Sequence, residues 1–302
     1  MATGLGKGLG ALAAIVLALA GCAPASKTTP TQAWPAHDIS PESAALAEYY
    51  RGVQQALLSQ GLLRTDGGDD LPFDAEILAR NFLKIALYEE HSMSGLGKTP
   101  VPLTRWANPI RIKLHFGDSV PQPRQDADRA RISSYLARLS RLTSLPISLV
   151  KDDANFFISI ASAEERRSLG PMIRTALPQA KPSQLAWITN LDPRTYCLVM
   201  TQSKAENSSY ERAFAFIPAE HPDLMRLACI HEEIAQALGL PNDEGTARPS
   251  IFNDGEEFAL LTKQDEMMLR ILYHPSLSNG MTEAELRSIV LTLARQLLGN
   301  NS

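Results

Sequence analysis

The spacing of apolar and polar positions divides the chain into helical and strand-like stretches. Apolar residues recur every three or four positions in some segments, which predicts amphipathic helices, and every second position in others, which predicts strands. A breaker, "RTDGGDDLP", separates the first two helices. Helices are predicted over 40–63, 72–92, 126–143, 222–238, 261–273 and 283–298, strands over 109–116, 146–150, 155–161, 195–201 and 211–218, and an inserted helix or loop over 163–191.

The first 22 residues have a different pattern. Lys7 is their only charged side chain, and an apolar run from Leu9 to Ala20 follows it. This run is short for a membrane-spanning helix and is typical of a signal peptide. It ends in Leu19-Ala20-Gly21-Cys22, which resembles a bacterial lipobox. The resemblance implies cleavage before Cys22, attachment of lipid, including palmitate, to that cysteine, and an outer-membrane anchor facing the periplasm.

The chain contains three cysteines. If Cys22 carries the lipid, Cys197 and Cys229 remain as an even pair in an oxidising compartment. We therefore expect a Cys197–Cys229 disulfide. The alternative is that Cys229 is a free nucleophile or a metal ligand.

Composition narrows the functional classes. The 302 residues carry a formal net charge of −4, and no long run of lysine and arginine opposes that balance, so we expect no nucleic-acid partner. The sequence lacks nucleophile-elbow, Walker A and Rossmann glycine patterns. None of its dispersed histidines forms a ligand-spaced pair; besides His231 they are His37, His91, His115, His221 and His274.

The 222–238 helix carries the most informative pattern. Leu227, Ile230, Ile234 and Leu238 form one apolar stripe at 3.6-residue spacing. The acidic and amide residues Glu232, Glu233 and Gln236 share the opposite face. His231 lies close to the stripe, so we interpret it as a packed histidine.

Counted from Glu232, the helix and the following turn have the spacing E-E-x-x-Q-x-x-G-x-x-N. This resembles the metzincin metalloprotease motif H-E-x-x-H-x-x-G-x-x-H, in which the histidines bind zinc and the glutamate activates water. The resemblance places Glu233 at the general-base position and Gly239 at the turn. Glu232, Gln236 and Asn242 occupy the ligand positions, and Phe252 takes the place of the methionine of the Met-turn.

The chain is more closely similar to a family of bacterial lipoproteins and secreted proteins of unknown function. The shared segments are E-E-x-x-Q-x-L-G-L-x-N-D at 232–243, "PSIFND" at 249–254, and "LY-x-P" followed by "GM" at 272–281. This similarity implies a fold rather than an activity.

The residue types at the ligand positions disfavour zinc, because side-chain amides are poor ligands for it. We expect no cofactor and a metal-free polar network instead. Ca²⁺ or Mg²⁺ bound by oxygen atoms of Glu232, Glu233, Asn242 and Asp243 is the alternative.

Together these patterns predict an α+β, metzincin-like domain whose twisted mixed sheet lies below the 222–238 helix. The predicted organisation is a signal peptide over 1–21, a tether over 22–39, an N-terminal helical module over 40–98, the metzincin-like domain over 99–275 and a C-terminal helix over 276–302.

The predicted function is a catalytically inactive, protease-derived envelope lipoprotein. It would bind a peptide or an envelope protein in a cleft lined by Glu232, Glu233, Gln236, Asn242, Asp243 and Phe252. One alternative is a peptidase-like hydrolase that uses Glu233. Another is an assembly factor acting through the N-terminal helices.

Overall fold

The computed structural model describes residues 39–89, 99–204 and 208–299, which contain nine helices and eight strands. The helices are α1 (Pro41–Ser59), α2 (Ala75–Ala86), α3 (Gln122–Thr143), α4 (Ala163–Arg166), α5 (Gly170–Ala176), α6 (Pro182–Thr189), α7 (Asp223–Ala237), α8 (Lys263–Leu272) and α9 (Glu283–Gly299). The strands are β1 (Tyr88–Glu89), β2 (Thr99–Pro100), β3 (Arg105–Trp106), β4 (Ile110–Phe116), β5 (Ile147–Leu149), β6 (Phe156–Ala161), β7 (Leu198–Ser203) and β8 (Ser209–Pro218).

The main sheet has six strands and is mixed. Its strands run in the order β5, β4, β6, β8, β7, and β3 pairs with the first two residues of β8. All pairings are parallel except that of β7, which is antiparallel to β8. In the described residues, no other strand pairs with β7, so β7 forms an edge of the sheet.

Both faces of the sheet are covered, which explains the nearly continuous apolar runs of β6 and β8. On one face, Ala213, Ala215 and Ile217 of β8 belong to the core that also contains apolar residues of α3 and α7. On the other face, Phe214 and Phe216 pack with residues of the α4–α6 insertion. The strands therefore alternate between two hydrophobic layers.

Helices α2, α8 and α9 contact one another beside this layered centre. Apolar residues of all three belong to the same core as the sheet, for example Phe82, Leu269 and Val290. The buried amides of Asn81 and Gln264 join α2 to α8 through a 2.7 Å hydrogen bond. The C-terminal helix α9 thus packs against α2.

The mixed sheet and its helices are consistent with the predicted α+β class. Two predicted helices are too long. Helix α1 ends at Ser59, and α2 ends at Ala86, because Tyr88 and Glu89 pair with Pro100 and Thr99 in a small antiparallel sheet. The predicted signal peptide, the lipidation site Cys22 and the tether up to residue 38 lie outside the described residues. Within the described residues, no helix combines the length and the apolar character needed to span a bilayer.

Candidate functional site

Helix α7 carries the candidate site and is fixed at its middle by the predicted disulfide. Cys229 of α7 is bonded to Cys197, which immediately precedes β7, with a Cα–Cα distance of 5.9 Å. The prediction of this bridge is confirmed. Closing the 32-residue separation contributes about 3–4 kcal/mol of stability in the chain-entropy model. The bridge holds the edge strand β7 against the helix.

The chain turns sharply after α7, and side chains satisfy the last carbonyl groups of the helix. Trp106 Nε1 donates to the Ala237 carbonyl at 2.8 Å, and the Tyr273 hydroxyl donates to the Leu238 carbonyl at 2.9 Å. Gly239 follows with φ +122°. The predicted turn glycine is therefore located where the backbone needs it.

The three residues at the ligand positions have different environments. Glu232 is half-buried, whereas Gln236 is 7% exposed and Asn242 is fully buried. Gln236 Nε2 donates to Asp243 Oδ1 at 3.1 Å. The Asn242 side chain donates from Nδ2 to the Lys84 carbonyl at 2.9 Å, at the end of α2. Its Oδ1 is enclosed and accepts no hydrogen bond from the residues that the structure describes. Two of the three positions thus hold amides that hydrogen-bond to the protein.

The remaining predicted residues lie mostly inside the protein. Glu233 is 4% exposed, and Phe252 is fully buried in the main core. His231 stacks on Tyr135 with ring centroids 3.9 Å apart, and its Nδ1 accepts a hydrogen bond from the Leu261 N–H at 3.2 Å. It is a packed histidine, as the pattern of the helix predicts.

Asp254 and Glu256 form an acidic cluster with Asp243, and the sequence patterns did not identify these two as site residues. Burial, and then the charges of Asp243 and Asp254, raise the pKa of Glu256 to about 7. Burial, and then the nearby Glu256, raise the pKa of Tyr196, which precedes the disulfide. Glu256 therefore lies near Tyr196, two residues before β7. The run Asp254-Gly-Glu256-Glu257 was the available signal, but its proximity to Asp243 depends on the fold.

The side chains at the three ligand positions, Glu232, Gln236 and Asn242, do not fit a zinc ion. Zinc favours imidazole and thiolate, but these positions offer one carboxylate and two amides. In the described part of the chain, no three His, Cys, Asp and Glu side chains are grouped so that they could hold a metal ion. We therefore derive no chemical step through a metal.

A family model described as a protein of unknown function, DUF2927, matches residues 75–292, from the start of α2 into α9. This match covers well over half of the chain, so the protein belongs to the DUF2927 family. No curated protein matches the chain. The α7 helix, its turn, the acidic cluster and the edge strand β7 all lie within the family region.

Proposed function

We propose that this protein is a peptide-binding lipoprotein of the bacterial envelope, built on a protease-derived domain that does not use zinc. The mixed sheet, the helix packed on it and the glycine turn after that helix support the relationship to metzincins. The residues at the ligand positions support the loss of the metal.

The main support for this proposal is the environment of Asn242. A third zinc ligand would have to approach the helix α7, but the Asn242 amide is fully buried and donates to the end of α2. Gln236 likewise donates to Asp243. Since Glu233 is only 4% exposed, it is poorly placed to activate a water molecule for hydrolysis. Hydrogen bonds within the protein thus replace the bonds to a metal.

The edge strand β7 and the 243–256 segment indicate the kind of partner. The edge of a sheet offers unpaired backbone N–H and C=O groups, and an extended peptide can pair with them. The carboxylates of Asp243, Asp254 and Glu256 favour a peptide with a basic side chain, because like charges at this position would be repelled. The partner we propose is therefore an extended, lysine- or arginine-containing segment of an envelope protein.

The cellular location of this activity follows from the lipobox-like sequence. We place the domain on the periplasmic side of the outer membrane, attached through lipid on Cys22. A partner would then be a periplasmic or membrane-associated protein.

Binding and cleavage of synthetic peptides test the proposal. The full chain would be titrated with singly labelled peptides in which lysine alternates with apolar residues, and binding would be read by fluorescence polarisation. Quenched versions of the same peptides report cleavage, and plasma mass spectrometry reports bound metal. At pH 8, where Glu256 with its pKa of about 7 is mostly ionised, Glu256→Gln is expected to weaken binding about threefold to tenfold, because it removes one partly buried charge.

Asp126→Asn, at an exposed position on α3, is the matched control and should leave the affinity unchanged. Cleavage that disappears in Glu233→Gln, together with stoichiometric metal, would support the hydrolase instead. Equal binding by wild type and Glu256→Gln would remove the acidic cluster from the binding site, and no binding by any peptide would reject the proposed function.

A further inference from the structure

A separate cavity of about 270 Å³ lies between α1 and the α4–α6 insertion. Its volume is slightly below the lower end of the range, about 300–1,000 Å³, that is usual for small-molecule sites. Helix α1 contributes Leu46 and Tyr50 to the lining, α4 contributes Arg166, and Pro193 lies on the opposite side. The cavity therefore combines polar donors with apolar walls.

Tyr50 presents a fixed but unused hydroxyl group to this cavity. The residue is 2% exposed, and its ring packs edge-on against His221 with centroids 4.3 Å apart. Within the described residues the hydroxyl makes no hydrogen bond, and because it is not fully enclosed it is accessible from the cavity. Burial, and then the charge of Glu220, raise the pKa of Tyr50, so the hydroxyl keeps its proton and can donate it.

Arg166 is held in place and also retains an unused donor. The residue is 8% exposed. Its Nε and Nη2 donate to the carbonyl groups of Thr189 and Leu191 at 3.3 and 3.1 Å, and its guanidinium lies 5.5 Å from the centre of the Phe216 ring. In the described part of the chain, Nη1 makes no hydrogen bond. A ligand would not have to order this side chain, which lowers the entropic cost of binding.

The charges around the cavity limit the ligand to a single negative charge. Arg166 and Arg167 are opposed in the lining by Glu42, which is paired with Arg167. Glu220 is buried nearby, where its Oε1 accepts hydrogen bonds from Ser43 Oγ and the Ala163 N–H, both at 2.8 Å. The charged lining residues Arg166, Arg167 and Glu42 together leave one positive charge, which a monoanion balances, whereas a doubly charged phosphate would exceed it and be repelled by Glu42 and Glu220.

We propose that this cavity binds the carboxylate of a small apolar acid, with the Tyr50 hydroxyl and Arg166 Nη1 donating hydrogen bonds to it. The apolar body of the ligand contacts Leu46 and Pro193. The same chemistry is available from a free aliphatic acid and from the C-terminal carboxylate of a peptide. This site is independent of the peptide-binding function proposed for α7.

Calorimetric titration of the full chain tests the site with four probes: hexanoate, hexanamide, N-acetyl-Ala-Leu with a free carboxylate, and the amide of that dipeptide. At least one carboxylate should bind, and its amide should bind much more weakly. Tyr50→Phe should weaken carboxylate binding about tenfold, because it removes one hydrogen bond to a charged group. Its melting temperature should match that of wild type, since the hydroxyl has no partner in the folded protein.

Tyr49→Phe is the matched control, because Tyr49 is the neighbouring tyrosine, is 41% exposed and does not line the cavity. Binding of hexanoate alone identifies a free acid as the ligand, and binding of the dipeptide alone identifies a peptide terminus. The proposal is overturned if neither carboxylate binds at millimolar concentration, if the amides bind equally well, or if Tyr50→Phe melts normally and binds with unchanged affinity.

Discussion

The backbone at Gly239 passes so close to Thr104 that a side chain cannot fit. A Cβ atom added to Gly239 would lie 2.5 Å from the Thr104 carbonyl oxygen and 3.1 Å from Leu272. The φ angle of +122° is also one that residues with side chains rarely adopt. Since the Thr104 contact is with backbone, it cannot be relieved by a change of rotamer.

Gly239→Ala should therefore lower the free energy of unfolding by about 2 kcal/mol or more, from the unfavourable φ angle and the clash together. Urea denaturation of the full chain measures this change. Gly52→Ala is the control: Gly52 lies in α1 with open space around its Cα, and alanine should stabilise the helix by about 0.5–1 kcal/mol. Similar stabilities for the two variants would contradict the steric argument.

Among individual residues, the sequence correctly predicts those whose role depends on the local pattern of the chain. The packed His231 follows from helical spacing, and the turn at Gly239 follows from the motif. Glu256 and Tyr50 were not predicted as site residues, because their properties depend on distant neighbours. The raised pKa of Glu256 requires Asp243 and Asp254, and the unused hydroxyl of Tyr50 requires the insertion that lies opposite α1.

Buried polar contacts join helix α7 to its neighbours. Arg226 and Asp128, both fully buried, place an ion pair between α7 and α3 at 3.3 Å. His221 lies just before the helix, and its Nδ1 is 3.7 Å from Cys229 Sγ. Burial, and then the charges of Arg226 and Arg124, lower the pKa of His221 far below its usual value. The helix is thus fixed by groups whose protonation affects stability.

His221 and His231 should make the protein less stable in mild acid. Burial, and then the charge of Arg138, lower the pKa of His231 to about 3. Below pH about 6.5 the unfolded chain binds a proton at this residue while the folded protein does not, so acid favours unfolding. Each such histidine contributes a loss of about 1.4 kcal/mol per pH unit.

His231→Gln should remove about one proton from the pH dependence of unfolding between pH 5.5 and 4.5, because glutamine still offers an acceptor to the Leu261 N–H but does not titrate. Urea denaturation across that interval measures the slope for wild type and variant, and the stability of the variant at pH 7.5 provides its reference. An unchanged slope would show that His231 already titrates normally in the folded state.

Over the whole molecule, sequence patterns located the long helices and the strands β4 to β8, but neither the short strands β1 to β3 nor the arrangement of the elements. The alternating run of β4 and the apolar run of β8 predict strands, whereas the order of the strands depends on tertiary packing. The end of α2 at Ala86 also escaped prediction, because its cause is the pairing of Tyr88 and Glu89 with a segment ten residues away or more. Local periodicity carries little information about such pairings.

Attachment to a membrane should depend on a single atom of the chain. The lipobox-like sequence that ends in Cys22 predicts that anchoring depends on the thiol of this residue. Cells expressing the full chain and fed a clickable palmitate analogue should label the protein, and Cys22→Ala should abolish both the label and the sedimentation with membranes. Cys197→Ala/Cys229→Ala is the control and should retain the label. Label that persists in Cys22→Ala would exclude this site of lipidation.

The Cys197–Cys229 bridge has a consequence for how the protein matures. Three cysteines allow three pairings, but acylation of Cys22 would leave only the native one. The lipid would then act as a protecting group as well as an anchor. If Cys22 is acylated before the disulfide forms, the chain still needs an electron acceptor to oxidise Cys197 and Cys229. It does not need an isomerase, because no incorrect disulfide can form.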